Sequence, residues 1–139
     1  MTREEIKALI PHREPMLLID RTQMDEAGVG HAWYRIPDDP FFCRGHFPGN
    51  PMVPGVILCE IMAQSTCQLF PEVFKDHLIV YRGMDSVKFR STVRPGDLCE
   101  VTCTLLEQKG SIYVCNAALS VDGRCCCQGI LSVAAVPKP

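Results

Sequence analysis

Apolar residues follow two different patterns along the chain, one up to residue 70 and one after residue 76. Residues 56–70 (VILCEIMAQSTCQLF) form a nearly unbroken apolar run that contains one charged side chain, Glu60, and that Pro71 ends. A run with apolar residues on almost all sides is typical of a helix buried in a protein core rather than on its surface. The pattern therefore predicts one long central helix.

After this helix the pattern changes to β-rich segments separated by turn residues. Residues 94–97 (RPGD) and 108–111 (QKGS) are typical turns, and Asp122-Gly123 is a strong two-residue hairpin signal. The predicted strands of this half are residues 78–81, 87–93, 98–106, 112–121 and 125–136.

The N-terminal part predicts a short helix, a hairpin and a loop. Thr2 suits an N-cap with Glu5 three residues later, so residues 2–9 are expected to form a capped helix. Two strands are expected to follow, at residues 16–19 and 31–36, and a loop rich in proline and glycine at residues 41–55. A helix buried on all sides requires a sheet that wraps it, so the sequence predicts an α+β fold, with an antiparallel sheet around a central helix. An open sheet edge would pair with a second subunit.

Length and composition narrow the function classes. The 139 residues predict a single domain, residues 1–139, and the net charge of −2 gives no general attraction to nucleic acid or anionic membranes. No apolar stretch is long enough for a membrane span, and the N-terminus does not resemble a signal peptide, so a cytoplasmic protein is expected. The nine cysteines form no C-x-x-C pair and lie mostly in apolar runs, which favours reduced structural thiols over a metal site.

Glu60 and His46 are the candidate catalytic residues. A carboxylate in a buried helix is costly unless it is paired or protonated, so Glu60 points out through a gap, bonds to Gln64 one turn later, or works as a general acid with a raised pKa. His46 lies in a loop whose glycines and prolines fix the backbone, as a preorganised catalytic group requires. Gly55 opens the helix, where free N–H groups could stabilise an oxyanion. His12 is interpreted as a structural loop residue.

Three blocks of the sequence resemble one known family. Residues 45–55 (GHFPGNPMVPG) followed by 60–64 (EIMAQ) resemble the signature of the 3-hydroxyacyl-[acyl-carrier-protein] dehydratases of type II fatty acid synthesis. Residues 10–21 resemble the opening motif of that family, and residues 84–90 with 93–97 resemble its later motif. The resemblance covers nearly the whole chain and implies the hotdog fold.

The resemblance also implies roles for individual residues. It implies that His46 takes the C2 proton, that Glu60 assists departure of the 3-hydroxyl, that the N–H of Gly55 binds the thioester carbonyl and that Gln64 orients Glu60. The remaining substrate contacts that it implies are Phe47, Pro54 and Tyr81.

Partners follow from the same resemblance. The substrate would arrive on the phosphopantetheine arm of an acyl carrier protein, without any other cofactor and without a metal. In this family His and Glu come from different subunits of a dimer, and such dimers often assemble three at a time into hexamers. A locally basic stretch could steer the acidic carrier, although a solvated strand face would have the same composition. Its residues are Arg82, Lys88, Arg90 and Arg94.

Other functions stay open at this point. A hotdog thioesterase or hydratase acting on coenzyme A thioesters, an idle hotdog subunit, and a dehydratase of a polyketide or secondary lipid pathway are the alternatives. Glu rather than Asp at position 60 favours the dehydratase branch that does not isomerise the double bond. Residues 70–78 look shorter than is usual in the family, so the sequence does not predict the acyl-chain length.

Overall fold

The computed structural model describes all residues, Met1–Pro139. Two α-helices and six strands form the fold: α1 Arg3–Leu9, β1 Arg21–Met24, β2 Gly30–Arg35, α2 Gly55–Ser65, β3 His77–Phe89, β4 Leu98–Lys109, β5 Ile112–Val121 and β6 Arg124–Pro137. Short 3-10 segments lie at Phe41–Cys43, Thr66–Leu69 and Pro71–Lys75. The capping box that was predicted for α1 is present, since Thr2 accepts from the Glu5 N–H and Glu5 accepts from the Thr2 N–H.

All six strands belong to one antiparallel sheet with the order β1-β2-β4-β5-β6-β3. Helix α2 packs against strands β2, β4, β5 and β6. The predicted α+β class, with an antiparallel sheet around one central helix, is therefore confirmed. Strands β1 and β3 form the two edges of the sheet, and β3 is by far the longer of the two.

Three predicted boundaries were wrong. The α-helix ends at Ser65 rather than at residue 70, because the hydroxyls of Ser65 and Thr66 bond back to the carbonyls of Ile61 and Ala63, and the chain continues as a 3-10 turn. Residues 16–19 are a loop and not a strand, with Leu17, Leu18 and Ile19 buried and Met16 exposed. The two strands predicted at residues 78–81 and 87–93 are one strand, β3, whose register shifts twice on the way.

Helix α2 is not buried on all sides, which corrects the prediction made from its composition. Val56 is 70% exposed, and Glu60 and Ala63, four and seven positions later, are only partly covered. These three residues lie on one face of the helix. Other large apolar side chains are exposed on the loop before α2 and along β3, namely Phe47, Val80, Tyr81, Met84 and Phe89. The exposed face of α2 and the unpaired edge of β3 together form a surface that no other element of the chain covers.

All nine cysteines are free, and eight of them are buried. Burial raises the pKa of Cys67, Cys99, Cys103 and Cys115 to about 12, so these thiols remain protonated. No group of three or more His, Cys, Asp or Glu side chains is placed to hold a metal ion. None of the helices has both the length and the apolar character that a membrane crossing requires.

Candidate active site

Glu60 lies in the middle of α2, and one of its carboxylate oxygens carries both of its polar contacts. The amide Nε2 of Gln64 donates to Oε1 of Glu60 at 3.0 Å, and Nε2 of His12 lies 3.5 Å from the same oxygen. The other oxygen, Oε2, has no hydrogen-bond or ion-pair partner within the protomer. The carboxylate is thus held at Oε1, while Oε2 remains free.

The pKa of Glu60 lies below its ordinary value of 4.5. Burial acts most strongly and raises this pKa, but the contacts from His12 and Gln64 and the charge of His12 together lower it by more. Of the alternatives that the sequence left open for Glu60, the bond to Gln64 is present, and the raised pKa of a general acid is not found in the single chain. The reason is that two polar partners, one of them not predicted, already stabilise the carboxylate.

Both polar groups of the Gln64 side chain, the carbonyl oxygen and the amide nitrogen, form hydrogen bonds. Its Oε1 accepts the N–H of Leu18 at 2.8 Å, and its Nε2 donates to the carbonyl of Met16 at 2.8 Å as well as to Glu60. The side chain is buried, so each of these bonds replaces one to water. Gln64 therefore ties Glu60 to the loop before β1, as its predicted orienting role requires.

Glu60, His12 and Gln64 lie at the wall of a cavity of about 270 Å³. Most of its other lining is apolar: Ile10, Ala63, Phe74, Ile79, Val80 and Val133. Tyr81 also lines it and donates its hydroxyl hydrogen to the carbonyl of Cys59, the residue before Glu60. The structure thus brings together three of the predicted site residues, Tyr81, Glu60 and Gln64, in a cavity that suits an apolar chain with one polar end.

His46 lies in the loop before α2, and its ring is oriented by a backbone carbonyl. Its Nδ1 is 3.1 Å from the carbonyl oxygen of Met52. A carbonyl only accepts, so Nδ1 carries the hydrogen and the Nε2 of the neutral ring keeps its lone pair. The ring stacks on Phe47, with 4.3 Å between the ring centroids. The lone pair on Nε2 of the neutral ring is therefore available to accept a proton.

The loop of His46 is bonded to the loop between β3 and β4. The backbone N–H of Val53 donates to the carbonyl of Val93 at 2.8 Å. Arg94 donates from Nη1 to Oδ1 of Asn50 at 2.8 Å and to the carbonyl of Pro51 at 3.2 Å. Arg94, which the sequence predicts at a carrier surface, thus holds the loop of His46 in place.

Gly55 is the first residue of α2 and lines the same cavity as His46. The space next to it leaves no room for a side chain. A Cβ at this position would come within 2.7 Å of the Phe89 ring. Pro54 precedes it, and its carbonyl accepts the N–H of Ile57 at 2.9 Å. The N–H of Gly55 has no acceptor in the protomer and lies at the positive end of the helix dipole. His46, Gly55, Phe89 and Arg90 line one open cavity of about 500 Å³.

His46 and Glu60 do not meet within one protomer. They line two different cavities, and no hydrogen bond or ion pair joins them. Both cavities border the free edge strand β3, which contributes Tyr81 to the Glu60 cavity and Phe89 to the His46 cavity. The two cavities thus lie apart along one edge of the sheet.

The predicted carrier-contact residues Arg82, Lys88, Arg90 and Arg94 are all exposed on or just after β3, and none forms an ion pair within the chain. Sequence reasoning missed His12, which the structure places against Glu60. The only signal was that His12 lies inside the block Pro11-His12-Arg13, which resembles a family motif.

Comparisons with known proteins identify the family of the chain. The chain is 39% identical over 137 residues to the 3-hydroxyacyl-[acyl-carrier-protein] dehydratase FabZ of Streptococcus pyogenes, covering 96% of this chain and 98% of that protein. It is 40% identical over 134 residues to the FabZ dehydratase of Streptococcus pneumoniae, covering 94% and 95% respectively. The chain belongs to the 3-hydroxyacyl-[acyl-carrier-protein] dehydratase family. It is accordingly a hydro-lyase, as the sequence predicted.

A family model described as ApeI-like (ApeI dehydratase) also matches, over residues 22–130. Among solved structures, the ApeI:P dehydratase heterocomplex from Xenorhabdus doucetiae superimposes with a TM-score of 0.80 at 19% identity, over 96% of this chain and 91% of that one. A mutant thioesterase from Pseudomonas aeruginosa superimposes with a TM-score of 0.65 at 16% identity, over 97% and 94%. At these identities the likeness shows the hotdog fold that the dehydratase family was expected to have.

Proposed function

We propose that this chain dehydrates (3R)-3-hydroxyacyl thioesters on acyl carrier protein to trans-2-enoyl thioesters in fatty acid biosynthesis, with His46 as base and Glu60 as acid. The observation that carries this proposal is the pair of complementary half-sites at the β3 edge. One half-site offers an imidazole with a free Nε2 beside the start of a helix, and the other offers a carboxyl group beside an apolar cavity.

A homodimer built on β3 would join the two half-sites. Tyr81 and Phe89 are separated by about 26 Å along an extended strand. A twofold axis near Asp85, midway between them, would pair two β3 strands antiparallel and bring the Phe89 end of one protomer opposite the Tyr81 end of its partner. His46 of one protomer would then face Glu60 of the other. The same contact would cover the exposed face of α2 and the apolar residues of β3.

The chemistry follows from the groups that this dimer would bring together. Nε2 of His46 removes the C2 proton of the thioester, and the N–H of Gly55 binds the thioester oxygen on which negative charge develops. The C2=C3 double bond forms as the C3–O bond breaks, and Glu60 gives its proton to the departing hydroxyl, which leaves as water. Because bound substrate and partner would remove the remaining water around Glu60, they raise its pKa towards the range that an acid needs.

The acyl carrier protein is the proposed partner in solution. Arg82, Lys88 and Arg90 lie exposed along the same strand that borders both half-sites, and they would attract an acidic carrier to the mouth of the joined site. The apolar lining beyond Glu60 would receive the acyl chain. The chemistry described uses side chains and backbone groups of the chain alone, so the proposal includes no cofactor.

The function is tested by offering crotonyl and longer 2-enoyl thioesters, on carrier protein and on coenzyme A, and following hydration. The expected result is hydration, with faster turnover of carrier-bound substrates. Release of free thiol without hydration would instead identify a thioesterase. The His46→Ala and Glu60→Gln variants should each lose most activity while they retain the wild-type fold, and wild-type rates from either would contradict the assignment.

A further inference from the structure

His12 contacts the proposed acid, yet the mechanism above leaves it without a role. Its Nε2 is 3.5 Å from Oε1 of Glu60, and both side chains are only partly exposed, at 30% and 24%. The other ring nitrogen, Nδ1, is buried and has no hydrogen-bond partner. The contact with Glu60 is thus the only ion pair or hydrogen bond that the ring makes.

We propose that His12 is a positioning residue for the dehydration: together with Gln64 it holds Oε1 of Glu60, so that Oε2 delivers the proton to the leaving hydroxyl. This inference rests on the proposed function and adds a third side chain to it. The Gln64 amide donates to Oε1 at 3.0 Å and Nε2 of His12 lies 3.5 Å from the same oxygen, whereas Oε2 has no partner of its own in the protomer. A carboxyl group whose Oε1 contacts both His12 and Gln64 can rotate only if both contacts break.

The proton balance of the step fits this arrangement. Before reaction Glu60 carries its proton on Oε2, and Nε2 of His12 lies beside Oε1. As the C3–O bond breaks, the Oε2 proton joins the hydroxyl to form water, and its bonding electrons remain on Glu60 as carboxylate charge. Donors from His12 and Gln64 stabilise that charge more than they stabilise the neutral acid, so they favour the transition state. The proton that His46 took from C2 returns to Glu60 through solvent.

The buried Nδ1 of His12 has no acceptor within reach. A hydrogen on this nitrogen would be costly, so in the neutral ring the hydrogen is on Nε2. With Nδ1 unprotonated, the single N–H of the ring is Nε2–H, which is the nitrogen that faces Glu60.

Few other ionisable groups line this cavity. Cys67, from the 3-10 turn after α2, has its pKa raised by burial to about 12, and burial likewise raises the pKa of the Tyr81 hydroxyl, from β3. Both are therefore neutral near physiological pH. Arg13, next in the chain, is engaged with the carbonyls of Lys7, Ile10 and His12. Within the protomer, His12 is thus the ionisable group that can alter the acidity of Glu60 through direct contact.

The test compares His12→Ala and His12→Gln with the wild-type protein in the dehydration of a 3-hydroxybutyryl thioester across pH. His12→Ala is expected to lower kcat about ten- to hundredfold, with a small change in KM, because a charge-assisted contact is lost. Since His12 lowers the pKa of Glu60, the limb of the bell-shaped pH profile governed by Glu60 should move to higher pH in His12→Ala. His12→Gln, which keeps a neutral N–H donor at about the same reach, should recover most of kcat.

The matched control is His77→Ala, which removes an exposed histidine paired with Asp76 and absent from the Glu60 cavity, and which should leave the profile unchanged. Equal losses in His12→Ala and His12→Gln, with an unmoved pH profile and lowered thermal stability, would assign His12 a merely structural role and overturn the inference. Wild-type kinetics from His12→Ala would overturn it as well. If the wild-type protein itself turned over no hydroxyacyl or enoyl thioester, the proposed function would fail, and that result is distinct from either outcome.

Discussion

The amide of Gln64 donates to Oε1 of Glu60 from one turn further along α2, at 3.0 Å. The same side chain accepts the N–H of Leu18 and donates to the carbonyl of Met16. A single glutamine thus connects the proposed acid to the buried loop between α1 and β1, and a substitution there should affect stability and catalysis together.

Gln64→Leu keeps the volume of the side chain but removes its three hydrogen bonds. The N–H of Leu18 and the carbonyl of Met16 would be left without partners in the interior, which should lower the free energy of unfolding by roughly 2 kcal/mol or more. Loss of orientation at Glu60 should lower kcat by about tenfold or more. Chemical denaturation and steady-state kinetics measure the two effects. Gln23→Leu, on the exposed edge strand β1, is the control and should change stability by less than about 0.5 kcal/mol. Unchanged stability in Gln64→Leu would contradict the arrangement.

Gly55 and Phe89 are expected to be coupled, because the ring of Phe89 occupies the space that a Cβ at position 55 would need. Gly55→Ala should displace this ring within the His46 cavity and lower kcat/KM by about tenfold or more. In the double variant Gly55→Ala/Phe89→Leu, the smaller side chain leaves room for the new methyl group, so part of the loss should be recovered. A double-mutant cycle of kcat/KM measures this coupling. If the effects of the two substitutions were strictly additive, the contact between position 55 and the Phe89 ring would have no effect on activity.

Lys88 and Arg94 are both basic and exposed, but the structure separates their expected effects. Lys88 has no ion-pair or hydrogen-bond partner in the chain, so Lys88→Glu should raise KM for carrier-bound substrate several-fold, leave kcat unchanged and have little effect on coenzyme A thioesters. Lys109→Glu, at the far end of β4, is the matched charge control and should change neither parameter.

Arg94→Ala is expected to lower kcat on both kinds of substrate, because it releases the loop that holds His46. The effect should persist at high salt, whereas the Lys88 effect should be screened. If Lys88→Glu lowered kcat equally on carrier and coenzyme A substrates, the carrier surface would have to be placed elsewhere.

Much of the fold follows from local pattern, and the exceptions have identifiable causes. Strand β5 was predicted at its observed bounds because it lies between two strong turn signals and alternates between buried and exposed positions. The start of β1 was misplaced because Leu17, Leu18 and Ile19 are buried by packing and by the bond to Gln64, and burial alone does not distinguish a loop from a strand. The end of α2 was misplaced because hydroxyl bonds to the backbone compete with the helix, and an apolar pattern does not reveal them.

The candidate site was only partly predictable from the sequence. Glu60 was singled out by the cost of burying a charge, and His46 by its rigid loop, yet neither feature reveals which groups meet in space. His12 was missed because its contact with Glu60 joins residues far apart in the chain. The lowered pKa of Glu60 could not be predicted for the same reason, since His12, one of the groups that lower it, is brought there by tertiary structure.

The central claim is that two half-sites from different protomers make one working site. It is tested most directly by mixing the inactive variants His46→Ala and Glu60→Gln under conditions in which subunits exchange, and measuring hydration of a crotonyl thioester. Each mixed dimer would contain one intact site, assembled from His46 of the Glu60→Gln chain and Glu60 of the His46→Ala chain. Random exchange should therefore restore about a quarter of wild-type activity. Mixed dimers that form, as shown by mass spectrometry, but recover no activity would contradict the account.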